Sequence, residues 1–370
     1  MRTLATFILL VCLLSSANAE PNELPLSLVK YFQPPEEFAG KLGNFRSPLK
    51  FDDGREVKTA ADWQLRRQEI LKTWHQLMGP WPPLVEKPTA EVVSEEKREN
   101  FTQYLLKLQI APDRVSDDAY LLVPEGKGPF PAVVVVFYDG KTGIGLGKAA
   151  HRDFGYQLVK RGFVALSLGS TPYYYYPSKE NVQLQPLSFH AYEAANCHTY
   201  LSQHPLVDPA RIGIVGHSYG GKWAMFASCL YDKFAASAWS DGGIVFDEAR
   251  SNVNYWEPWY LGHQPDVERT RGIPSEKNPR TGPYKKMVET GCDLHELHVL
   301  MAPRPFLVSG GSEDPPARWQ ALNHSVAVNK LLGVTGRVGM TNRPMHDPNA
   351  ESNAVLCDFF VHFLGTAGKK

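Results

Sequence analysis

The stretch Arg211–Met225, RIGIVGHSYGGKWAM, constrains the fold of this chain more than any other. Its apolar run Ile212–Val215 has the character of a short buried strand. The run meets Gly216-His217-Ser218-Tyr219-Gly220-Gly221, and Lys222–Leu230 then reads as a helix. Glycines are needed there because the turn from strand to helix is sharp and neighbouring backbone passes close. A serine in such a turn sits in a strained conformation. Its hydroxyl projects at the helix N-terminus, beside backbone N–H groups. Strand, G-x-S-x-G turn and helix together form the arrangement that presents serine as a nucleophile.

The rest of the chain supplies the sheet that such a turn requires. Pro131–Tyr138 (PAVVVVFY) is a continuous β-branched run, as expected of a strand covered on both faces. Phe163–Leu168, Phe234–Ser240, Pro303–Gly310 and Gly336–Thr341 are further strand candidates. Helical segments are expected between them, at Ala149–Arg161, Ser188–Gln203, Pro316–Leu332 and Ala350–Leu364. Upstream, Glu91–Arg98, Thr102–Ala111 and Ala119–Val123 follow one another through short turns and should start the sheet antiparallel. The alternation predicts an α/β protein with a mostly parallel central sheet, antiparallel first strands and helices on both faces.

Residues 1–19 fall outside that fold. Arg2, the apolar Leu4–Leu14 and the small-residue Ala17-Asn18-Ala19 have the form of a secretory signal peptide cut before Glu20. The expected location is therefore secreted or periplasmic, with no membrane association after cleavage. Residues 20–90 read as a Pro-rich arm followed by a helix, Ala60–Met78, capped by Thr59 and stopped by Gly79. Residues 91–370 form the expected catalytic domain, with insertions at about 169–187 and 244–300. Thirty-nine basic residues balance thirty-nine acidic ones. No basic stripe interrupts that balance, which argues against a nucleic-acid partner. The oligomeric state is not written in the sequence. Beyond the leader, Cys197, Cys229, Cys292 and Cys357 contain no C-x-x-C; an exported chain can pair them, and three of them fit buried helical thiols.

A serine hydroxyl is a weak nucleophile until a base takes its proton. Downstream of the turn, His324 and His362 fall inside expected helices, whereas His346 falls in the loop Arg343-Pro344-Met345-His346-Asp347-Pro348. His346 is the candidate base. The orienting acid follows a strand end, and the chain order Ser, acid, His leaves two choices: Asp314 is preferred and Asp241 is the alternative. The N–H of Tyr219 and the loop at Tyr138 are the candidate oxyanion donors. No cofactor is expected. His295 and His298 in DLHELHVL lack the H-E-x-x-H order, so no metal site is expected either. Aromatic residues gather at Pro172–Pro177 and Asn254–Leu261, where they suit a sugar or phenyl group as well as packing.

GHSYGGKWA, APRPFLVSGGSED and the terminal histidine loop resemble the α/β-hydrolase superfamily over roughly Ala119–Leu364. Within it the chain is similar to exported carbohydrate esterases of the acetyl xylan and glucuronoyl type and to dienelactone-hydrolase-like proteins. The resemblance implies a Ser-His-Asp esterase acting through an acyl-enzyme on a small-molecule or polysaccharide ester. It implies a sugar-acid contact for Lys222, four residues after the serine, and it allows an acid at the strand end that Asp241 occupies. Tyr219 departs from the arginine usual after the serine of glucuronoyl esterases. GHSYGG also resembles prolyl-oligopeptidase-like peptidases, whose propeller domain this chain has no room for. An exported peptidase and a non-catalytic hydrolase-like binding protein are the alternative readings.

Overall fold

The computed structural model describes residues 23–170, 184–251 and 253–365. The expected leader, and Tyr173–Tyr176 in the first insertion, lie outside the described residues. One nine-stranded sheet runs through the molecule in the order β1-β2-β3-β5-β4-β6-β7-β8-β9. The strands are β1 (Ala90–Arg98), β2 (Phe101–Ala111), β3 (Arg114–Pro124), β4 (Phe130–Phe137), β5 (Val164–Gly169), β6 (Val207–His217), β7 (Ala236–Ser240), β8 (Phe306–Gly310) and β9 (Val338–Asn342). β1, β2, β3 and β5 pair antiparallel. From β5 through β4, β6, β7 and β8 to β9 every pairing is parallel.

Apolar layers cover both faces. On one face the helices Pro186–Ser202 and Tyr219–Leu230 pack with Trp63, Trp74, Trp223 and Trp239. On the other, Phe154–Val159 and Ala350–Phe363 contribute Phe154, Leu158, Phe359 and Phe360. β4 shows why its sequence has no polar alternation: Ala132–Val136 are all buried, as a parallel strand between two helical layers requires.

The helix Ala60–Met78 occupies its expected span. Thr59 accepts the Asp62 N–H, and the Asp62 carboxylate accepts the Thr59 N–H in return. Gly79 ends it at φ 90°. Trp63, Ile70, Trp74 and Met78 form its buried face. Ahead of it, residues 23–58 lie across the domain, held through backbone and side chains alike. The Met340 N–H of β9 donates to Tyr31 C=O at 2.8 Å, and Phe32 stacks on Phe359 at 6.1 Å. The Asn323 amide donates to Phe38 C=O and Lys41 C=O. The His295 Nε2–H donates to Arg46 C=O at 2.7 Å, which gives that residue a structural task in the fold. All four cysteines within the described residues are buried and unpaired. No helix among the described residues is long and apolar enough to cross a membrane.

Candidate active site

Parallel strands of such a sheet point their carboxyl ends to one edge, and there the loops converge. Ser218 joins β6 to the helix Tyr219–Leu230 at φ 57°, ψ −117°, a left-handed conformation costly for a residue with a side chain. The glycines around it make that turn possible. A Cβ on Gly220 would lie 2.0 Å from Val136 C=O, and one on Gly216 would lie 2.3 Å from Gly220 C=O. The Ser218 N–H donates to Ser240 C=O at 2.8 Å, tying the turn to the end of β7.

His346 sits in the loop after β9, half-buried. With its proton on Nδ1, it donates to Asp241 Oδ2 at 2.7 Å, and Nε2 accepts the Ser218 Oγ–H at 2.9 Å. Arg343 holds that loop. Its guanidinium donates to the carbonyls of His346, Asp347, Ser309 and Gly310. The His217 ring lies 4.6 Å from the His346 ring. Burial, and then neighbouring His346, hold His217 well below the usual imidazole range, so it stands there uncharged.

The acid facing His346 is therefore Asp241, and the preference for Asp314 is corrected. Asp241 caps β7 at φ 47°, which swings its carboxylate toward His346. Its oxygens also accept the N–H groups of Gly311, Glu313 and Asp314. Asp314, at the expected strand end after β8, is fully buried and faces the other way. Its two oxygens accept the Gly243 and Ile244 N–H groups at 2.9 and 2.7 Å. Burial, then the adjacent Asp241, push the Asp314 carboxyl up to about 6.

Tyr219 opens the elbow helix, where first-turn N–H groups point out of the helix end. Tyr138 directly follows β4 beside it, and the two phenol rings stack at 5.4 Å. A cleft of about 180 Å³ opens over Ser218 and His346, lined by Lys222, Asn254, Glu257, Trp259, Tyr260, Arg271 and Glu313 among others. Lys222 reaches it from the elbow helix. Its Nζ rests over the Tyr255 and Tyr260 rings at 5.5 and 5.2 Å. Burial pulls this ammonium below the usual lysine range, against the pull of Asp314, Glu313 and Asp241. From the aromatic stretch Asn254–Leu261, Trp259 and Tyr260 line the cleft, while Tyr255 and Trp256 are core. Arg271 carried no sequence signal, and Asn254, Glu257, Glu313 and Arg343 lay in segments singled out for other residues. Among the described residues, no group of three or more His, Cys, Asp or Glu could hold a metal ion.

The sheet order and the elbow define an α/β-hydrolase fold. The model of the prolyl oligopeptidase family matches residues 190–322, the part that carries the elbow and both aspartates. A glucuronoyl esterase from Solibacter usitatus superposes with a TM-score of 0.65 at 18% identity, over 86% of this chain and 97% of that one. In sequence, the chain is 23% identical to the 4-O-methyl-glucuronoyl methylesterase of Podospora anserina over 70% of this chain and 54% of that protein. It is 28% identical to acyl-coenzyme A thioesterase 3 of Mus musculus over 59% of this chain and 47% of the relative. The chain thus spans about half the length of these two curated relatives.

Proposed function

We propose that this protein is a serine carboxylic-ester hydrolase acting on a carbohydrate ester, exported to the periplasm or the medium by residues 1–19. The observation that carries the reading is the unbroken line Asp241, His346, Ser218 at the floor of a polar cleft. Ser218 Oγ bonds to the ester carbonyl carbon as His346 Nε2 takes its proton. Asp241 keeps the imidazole in the tautomer that leaves Nε2 free to accept, and it stabilises the imidazolium. The negative charge on the carbonyl oxygen falls to backbone N–H groups at Tyr219 and at Tyr138. Collapse expels the alcohol, which takes the proton from Nε2 and leaves an acyl-serine. Water then gives a proton to Nε2 as its oxygen attacks the acyl carbon, and the acid departs as Ser218 regains its proton. Lys222 binds oxygens of the sugar, and Trp259 offers a ring face. Its similarity to the Podospora anserina and Solibacter usitatus esterases supports a uronoyl ester as the substrate.

An organophosphonate should label Ser218, and Ser218→Ala should fold normally while losing roughly 10⁴-fold or more of kcat. The substrate panel is acetyl, feruloyl and methyl-glucuronoyl sugars with a short-chain nitrophenyl ester. Label at another serine, or retained turnover, overturns the assignment. The prolyl oligopeptidase match favours peptide cleavage as a second reading. Turnover of peptides and of no ester in that panel would select it.

A further inference from the structure

Among the described residues, two cations line the cleft without a direct ion pair to a carboxylate. Lys222 is 3% exposed, and among the described residues its ammonium has no hydrogen-bond or ion-pair partner. The Arg271 guanidinium lies 4.9 Å over the Trp259 ring and likewise has neither. Both line the same cleft as Ser218 and His346.

The two carboxylates of that cleft are already engaged. Glu257 Oε1 accepts the Gly272 N–H at 3.0 Å and the Trp256 Nε1–H at 3.2 Å, and Oε2 lies 3.5 Å from Arg269. Arg269 in turn donates to Gly272 C=O at 2.8 Å. Glu257 therefore helps to fix the turn that carries Arg271. Glu313 pairs with Arg250 at 3.5 Å, whose guanidinium also donates to Ser312 C=O. Each of the two cleft carboxylates has an arginine of its own beside it, so Lys222 and Arg271 are in excess over them. A buried ammonium that feels Asp314, Glu313 and Asp241 without a direct ion pair to any of them is costly to the fold. A guanidinium presented on a pinned turn is ready to bind a planar anion.

We infer that the cleft takes an anionic ester, one that carries a second, ionised acid group on the sugar beside the esterified one, with Arg271 and Lys222 as its receptors. An ester of a lone uronic acid is neutral and leaves both cations unmatched. The ionised neighbour is a carboxylate or a sulfate. This inference rests on the esterase reading, and the two are tested apart.

Esterase activity is read on nitrophenyl acetate, which has no charge to recognise. Anion recognition is read as binding to Ser218→Ala by calorimetry, so that no ester is consumed. The ligands are a diuronide with one methyl ester and one free carboxylate, and the same diuronide with both carboxyls methylated. The free-carboxylate ligand should bind about tenfold more tightly at low salt, as expected of a partly desolvated charge pair. In about 0.5 M salt the preference should shrink, since the cleft is open to ions. Adding Arg271→Gln should cut it to about twofold. The same diuronide with a sulfate in place of the carboxylate decides between the two anions. Equal binding of the two diuronides, binding of neither, or a preference untouched by Arg271→Gln overturns the inference. Absent turnover of nitrophenyl acetate and of every other ester in the panel overturns the esterase reading alone and leaves the binding result standing.

Discussion

Asp241 and Asp314 each accept backbone N–H groups from the loop that carries the other. This reciprocal latch joins the ends of β7 and β8, yet only Asp241 keeps an oxygen for His346. Asp241→Asn should lower kcat by about 10³–10⁴-fold with little change in KM, because an amide at that place favours the wrong imidazole tautomer. Asp314→Asn should leave most of kcat and instead cost about 1–3 kcal/mol of stability, because one amide oxygen cannot accept from both Gly243 and Ile244. Steady-state kinetics and urea midpoints on the two variants check the pair, and the reverse ranking in kcat would return the role to Asp314. Sequence located both aspartates at strand ends but ranked Asp314 ahead of Asp241. The choice turns on the left-handed backbone of Asp241 at φ 47°, which residue type does not announce. Ser218 and His346 were legible because glycine and proline spacing marks their loops.

The elbow shows the same logic for whole elements. Its glycines are fixed by what surrounds them: Gly220 sits against the end of β4, with Val136 C=O where a Cβ would go. Gly220→Ala should destabilise the protein by about 3 kcal/mol or more, since the obstacle is backbone and cannot move aside. A urea midpoint equal to wild type would contradict this. All nine strands were visible as β-branched or alternating runs, while their ends shifted. β8 begins at Phe306 rather than Pro303, because Pro303 and Pro305 have no N–H to give the ladder. The helix expected from Ala149 begins at Phe154. The region 244–300 could not be read in advance. Its polar contacts, such as Arg280 and Tyr284 on Glu248 within the region and Arg318 on Asp247 from the domain, leave no period in the sequence.

Across the molecule, several histidines are buried as neutral rings. Burial, then the charge of His324, hold His295 down to about 3, and burial holds His198 down to about 4. In the unfolded chain both would titrate near 6.5. Between those values the unfolded state binds more protons, so their contribution is complete above pH 6.5 and is lost as pH falls. The buried carboxyls Asp293, pushed up to about 7, and Asp314 act in the opposite sense over an overlapping range. A difference measurement separates them. His295→Gln keeps an N–H for Arg46 C=O but has no proton to gain. Relative to wild type it should become more stable by about 1.4 kcal/mol for each pH unit below 6.5. Urea midpoints of both proteins from pH 7 to 4.5 read this, and a constant difference would refute it.

The backbone bonds of the arm also set an order of events. Tyr31 and Phe32 meet Met340 and Phe359, so a segment made early in synthesis docks on elements made near its end. Until β9 and the helix Ala350–Phe363 are in place, the Tyr31–Phe32 part of the arm lacks its partners. When they are, the search is short, because the arm is leashed to the domain through the helix at Ala60 and closing so small a loop costs little entropy. Docking of this part of the arm thus waits on the C-terminal elements. The same leash lets the Tyr31–Phe32 segment open while the sheet and its serine stay whole.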